Sequence, residues 1–269
     1  MAKKNINEMT FLDHLEELRW LLVRSTIAIV LMAIATYFIS DYLFDEIIFG
    51  PTRPGFFTYT FFCDLSHSIG FADSICITEM PFIIQNTEME GQVNVFIWIC
   101  ILSGFILSFP YILWELWKFI SPALYDNEKK NAKKFIFFSS LLFFLGVTFG
   151  YYVVIPMSVN FVATFTISDV VKNQFTLDSY IGMVKTSVLA SGLFFELPII
   201  IYFLTKLGLV TPNFLRNYRK FAIIIVLIIA AIVTPPDVVS QVVVAIPMLL
   251  IYEASILISV LVSKQEKNK

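Results

Sequence analysis

Apolar residues dominate six stretches of the chain, and the polar segments between them differ in kind from one gap to the next. The first stretch, 20–39, is about 20 residues, enough for a ~30 Å hydrocarbon core. The others are 92–114, 135–155, 186–205, 221–233 and 238–253. Ahead of the first, Phe11, Leu15, Leu18 and Leu22 recur at helical spacing while Asp13, Glu17 and Arg24 take other faces, which predicts an interfacial amphipathic helix running into the span. Pro110 predicts a kink near the end of the second span, and Pro156 a stop to the third. The fifth stretch is so short that at 1.5 Å per residue it reaches only about 20 Å. A Thr234-Pro235-Pro236-Asp237 turn separates it from the sixth, which is also read as short.

The polar gaps orient the spans. Residues 117–134 hold Lys118, Lys129, Lys130, Lys133 and Lys134, and short basic loops stay on the cytoplasmic side. With Lys3, Lys4, Arg19, Arg24, Lys206, Arg216, Arg219, Lys220, Lys264, Lys267 and Lys269, the inner segments collect 16 of the 19 cations. Six helices with both termini cytoplasmic follow, forming a single integral membrane domain over 1–269. The long outer segment 41–90 has several prolines and no run able to cross a bilayer. The start of the chain imitates a secretory leader. Its polar lead-in with Glu8, Asp13, Glu16 and Glu17 and its full-length apolar run read instead as a retained helix.

Composition agrees: 269 residues, 58% hydrophobic and 15% charged, with mean hydropathy +0.79, exclude a soluble globule. A net charge of −2 is too small to imply a nucleic-acid or other strongly charged partner, and no nucleic acid is expected. Two histidines, His14 and His67, expected on opposite sides, build neither a metal cluster nor a Ser–His pair, and no Gly-rich phosphate loop occurs. No cofactor and no enzymatic activity are expected. Cys63 and Cys76 both fall in the outer segment, where a bridge is open to them, while Cys100 lies in a span.

Carboxylates hold the remaining chemistry. Glu196 sits near the middle of the fourth span, where an unpartnered carboxylate costs at least ~2.5 kcal/mol, so pairing, protonation or a watery face is required. Glu17 and Glu128 lie at the inner surface. Two separated carboxylates suit a ligand with two guanidinium groups, although Arg19 and the loop lysines equally suffice to neutralise them.

Four segments in chain order carry a resemblance. They are His14-Leu15-Glu16-Glu17-Leu18-Arg19, Phe119-Ile120-Ser121-Pro122-Ala123-Leu124-Tyr125 with Glu128-Lys129, Phe195-Glu196-Leu197-Pro198, and Thr234 to Gln241. Together they resemble TatC, the multi-spanning receptor subunit of the twin-arginine protein translocase. The resemblance implies an all-α, glove-shaped bundle of six transmembrane helices in a bacterial inner membrane, with helices five and six short. It implies that Glu17, Arg19, Phe119, Pro122, Leu124, Tyr125 and Glu128 bind twin-arginine signal peptides. Glu196 becomes the intramembrane polar position, and Pro51, Pro110, Asp237 and Gln241 structural or partner-contact positions. The implied partners are single-span subunits of the TatA and TatB kind, lipid and further copies of the chain, with export driven by the proton gradient. The alternative from another class is a proton-coupled small-solute transporter using Glu196.

Overall fold

The structure, a computed structural model, describes residues 11–69, 76, 80–121, 132–168, 170–235 and 237–267. Among them five helical runs are long and apolar enough to cross a membrane: His14–Tyr37, Gly91–Ile120, Lys133–Thr164, Leu177–Lys206 and Ser240–Lys264. A sixth apolar helix, Arg219–Val233, has 15 residues, about 22 Å of rise. The fifth helix is therefore short, as its sequence predicts.

Where one domain is expected, the chain divides into two compact units, residues 1–43 with 93–141 and residues 44–92 with 142–269. The first contains α1 (Phe11–Tyr37), nearly all of α3 (Gly91–Ile120) and the start of α4 (Ala132–Phe149). No Gly or Pro interrupts α1, so the amphipathic lead-in and the first span form one helix. It packs antiparallel on α3. The Thr36 hydroxyl meets the Cys100 carbonyl at 3.4 Å, and Gly104 lies so close to α1 that a Cβ there would fall 2.6 Å from the Ile29 carbonyl oxygen. Further along, Arg24 meets Glu115. A small residue at the crossing lets two backbones approach where lipid offers no hydrophobic drive between them. Most other apolar side chains of α1 are exposed, as a bilayer-facing helix requires.

The second unit begins with irregular turns, then α2 (Phe57–Ile69) and β1 (Ile83–Gln85). Tyrosines stitch these turns to the helices: Tyr59 donates to the carbonyls of Pro51 (2.8 Å) and Pro156 (3.1 Å), Tyr151 to Ile47 and Tyr180 to Ile48. Burial raises the Tyr59 phenol well above its usual pKa, which keeps it a neutral donor. Beyond α4 a wide π-type turn, Gly150–Val154, leads into α5 (Ile155–Thr164). The helical run thus passes Pro156 instead of stopping there. The wide turn restarts the ladder so that Pro156 occupies a first-turn position, where no N–H is needed.

A short β2 (Gln174–Thr176) pairs in parallel with β1, Ile84 opposite Phe175. This two-stranded ribbon of three-residue strands is a small addition to an otherwise helical fold. Next come α6 (Leu177–Phe195) and α7 (Leu197–Lys206), broken at Glu196 because Pro198 has no N–H to give the preceding turn. Gly146 and Gly150 pack against Ser191 and Ser187 of α6, a small-residue spacing of four on both sides. After α8 (Pro212–Asn217) and α9 (Arg219–Val233), α10 (Val238–Lys267) has 30 residues. This corrects the short sixth helix. Glu253 does not end it, because its carboxylate pairs with Arg219 at 2.7 Å and an apolar run continues behind it. A core of Val154, Phe194, Val226, Ala230, Val233, Val244, Ala245 and Met248 joins these helices.

Candidate functional site

The first unit gathers sequence-predicted residues where α1 begins and α3 ends. The His14 ring stacks on Phe119 with centroids 4.3 Å apart and planes at 26°. Glu17 is one turn further along α1, on the same side as His14, because residues three apart on a helix are neighbours. The stack therefore brings an exposed carboxylate to the side of α1 that meets a half-buried aromatic face. Such a combination holds a guanidinium well: the carboxylate accepts its hydrogen bonds and the ring faces its charge. Arg19, two residues from Glu17, falls on a different side of α1 by helical spacing and is exposed. Pro122, Leu124, Tyr125 and Glu128 lie outside the described residues.

Below this mouth sits a charge cluster that sequence reasoning missed. The Glu115 carboxylate, 3% exposed, accepts from Arg24 of α1 at 3.0 Å and from Lys118 of its own helix at 2.6 Å. Lys118 also stands 5.7 Å over the Trp114 ring. A carboxylate this far from water needs both cations, and each cation keeps about half its side chain exposed. The sequence did hold a signal, an acid three residues before a lysine in an otherwise apolar run. Ending the second span at Trp114 hid it, since α3 continues to Ile120. Pro110, higher on α3, lines a groove of about 440 Å³ with Trp114, Lys133, Ile136, Phe137 and Ser140.

The other expected positions lie in the second unit. Glu196 is buried, 7% exposed, at the break between α6 and α7. Its backbone carbonyl accepts from Ile199 and Ile200, so the break is closed by main-chain bonds. Asp237 caps α10 by accepting from the Ser240 N–H at 2.7 Å. Gln241 donates across to the Leu227 carbonyl of α9 at 3.0 Å, tying the two helices of the turn together. Pro51 is buried with its carbonyl bonded to Tyr59. Cys63 and Cys76 form a disulfide, while Cys100 is buried and unbridged.

Comparison with known proteins places these features in a wider set. A family model described as "Sec-independent protein translocase protein (TatC)" matches residues 13–247. A protein of that name from Blattabacterium sp. subsp. Periplaneta americana (strain BPLAN) is 43% identical over 265 residues, spanning 98% of this chain and 100% of its own length. The Aquifex aeolicus protein of the same name is 34% identical over 261 residues, 97% of this chain and 98% of its own. A solved structure titled as a twin arginine translocase receptor, TatC, superposes with TM-score 0.71 at 33% identity, covering 93% of this chain and 99% of that one.

Proposed function

This chain belongs to the TatC family of Sec-independent protein translocase proteins, and from that premise we propose that it is the receptor that binds twin-arginine signal peptides at Glu17, Phe119 and the adjoining loop. The observation that carries the reading is the His14–Phe119 stack, which turns the side of α1 that bears the exposed Glu17 toward Phe119. One arginine of the leader docks between Glu17 and Phe119. Its neighbour is taken by Glu128, and Pro122, Leu124 and Tyr125 belong to the same binding set. The charge-assisted, bidentate geometry of guanidinium on carboxylate should make a lysine pair the poorer ligand. Arg19, on another side of α1, serves membrane-surface orientation in this reading.

The chain is the core subunit of the translocase, placed in the bacterial inner membrane with both termini and the 122–131 loop cytoplasmic. Single-span subunits of the TatA and TatB kind join it, together with further copies, and the proton gradient drives export. The chain itself performs no covalent chemistry. Asp237 and Gln241 hold the short turn between α9 and α10 in shape for such partners. The transporter alternative through Glu196 draws no support from the relatives named above, which bear translocase names.

The test is export of a folded twin-arginine reporter in a strain lacking its own receptor, complemented by this chain. Glu17→Ala, Phe119→Ala and Glu128→Ala are each expected to reduce photo-crosslinking to the precursor while the protein still inserts. Crosslinking that persists in all three overturns the assignment.

A further inference from the structure

Cys63 and His67 are four residues apart on α2, one helical turn and therefore one face. Cys76 returns to that face through the disulfide, with Cα atoms 4.7 Å apart. The His67 Nε2 lies 3.5 Å from the Cys76 sulfur and 4.0 Å from the Cys63 sulfur. All three donor atoms fall within 4.8 Å of one another. A tetrahedral zinc with Zn–S of about 2.3 Å and Zn–N of about 2.0–2.1 Å sets nitrogen and sulfur roughly 3.5 Å apart and two sulfurs roughly 3.8 Å apart. The imidazole nitrogen already stands at the coordinating distance from the Cys76 sulfur and about half an ångström beyond it from the Cys63 sulfur. Only the bonded sulfurs must part, and reduction parts them.

We propose that Cys63, His67 and Cys76 form a redox-gated site for a thiophilic cation of the zinc class, closed as the disulfide and open as the dithiol. The balance is simple. A dithiol reductant donates two electrons and two protons, breaking the Cys63–Cys76 bond to give two thiols and becoming a disulfide itself. The cation then displaces the two thiol protons to solvent as the thiolates bind, and neutral His67 supplies the third ligand. Solvent fills the fourth position. Both sulfurs are partly buried and His67 is exposed, so a cation has a path to the site. The two states exclude each other, because the oxidised sulfurs offer no thiolate. The site thus couples the redox state of the segment containing α2 to metal occupancy.

The test uses the full chain in detergent. One sample is oxidised; another is treated with a phosphine reductant, which is then removed without air. Zinc bound per chain is measured after gel filtration, and cobalt serves as a coloured probe for thiolate-to-metal charge transfer. The reduced chain is expected to retain one zinc and to show the cobalt band, and the oxidised chain neither. Cys63→Ser/Cys76→Ser should lose both signals while keeping Cys100. His67→Ala should weaken binding about tenfold or more, since one of three protein ligands is gone. Failure of the reduced chain to take up zinc, uptake by the double serine variant, or uptake undiminished in His67→Ala each overturns the proposal.

Discussion

The Arg24 guanidinium and the Glu115 carboxylate meet at 3.0 Å, the acid 3% exposed and the arginine half exposed. That asymmetry decides how the pair behaves. Glu115 cannot return to water without moving a helix, whereas Arg24 and Lys118 can both swing outward. Loss of either cation leaves the acid one partner. Loss of both strands a charge in a poorly solvated place.

Arg24→Ala and Lys118→Ala alone are each expected to lower stability by about 1 kcal/mol, because one hydrogen-bonded cation remains. The double variant should cost about 3 kcal/mol or more, and exceed the sum of the singles by roughly 1 kcal/mol. Replacing Glu115 with Gln in the double variant should recover part of the loss. Thermal unfolding of the detergent-solubilised protein measures all four, and strictly additive losses refute a shared buried acid.

His14 touches Phe119 and supports it from α1. His14→Ala should weaken crosslinking to a twin-arginine precursor several-fold, while His14→Phe, which preserves the stack at about 0.5–1.5 kcal/mol, should keep it near normal. A surface with no role for the stack would treat both alike. Glu17→Lys should reduce crosslinking more than Glu17→Ala, since it adds repulsion to the lost acceptor.

The apolar stretches were legible because a bilayer demands them: every spanning backbone must satisfy itself within a helix, and the side chains outside must be greasy. Helix ends were not. Glu115 and Glu253 each read as the edge of a loop, yet each lies inside a helix, since an arginine from a neighbouring helix neutralises it. Pairing across helices is invisible to a pattern read along one. The same limit hid His14, whose contact with Phe119 spans more than a hundred positions. Three-residue strands such as Ile83–Gln85 carry no periodicity to detect, so the ribbon went unforeseen. Glu17 and Phe119 were singled out through motifs that hold their sequence context together.

At the turn before α10, Asp237 accepts from the Ser240 N–H and Gln241 reaches Leu227. Asp237→Ala should destabilise by ~1 kcal/mol, and Asp237→Ser should retain most of the cap. Gln241→Ala, which loses one bond between helices, should cost ~0.5–1.5 kcal/mol. Hydrogen exchange at the first turn of α10 distinguishes them: the Asp237 change should speed exchange at Ser240 itself, and the Gln241 change should leave that amide protected.

Gly104 and Gly182 both sit inside apolar helices, and the same substitution should push them in opposite directions. A Cβ on Gly104 would fall 2.6 Å from the Ile29 carbonyl oxygen and 2.7 Å from the Ala33 nitrogen. Both are backbone atoms and cannot rotate away, so α1 and α3 must separate. A Cβ on Gly182 meets nothing within 4 Å. Gly104→Ala is therefore expected to cost ~1–3 kcal/mol as overpacking, and Gly182→Ala to gain ~0.5–1 kcal/mol from helix propensity. Separation should also show directly. A cysteine pair at Ala33 and Gly104 cannot be used, because it alters the crossing itself, but a pair at Thr36 and Cys100 needs only Thr36→Cys, the two positions already being in contact. Oxidative crosslinking of that pair should fall when Gly104→Ala is added and stay unchanged with Gly182→Ala. Equal melting shifts for the two alanine variants, or crosslinking indifferent to Gly104, would mean that the small residue at the crossing does not set the distance between α1 and α3.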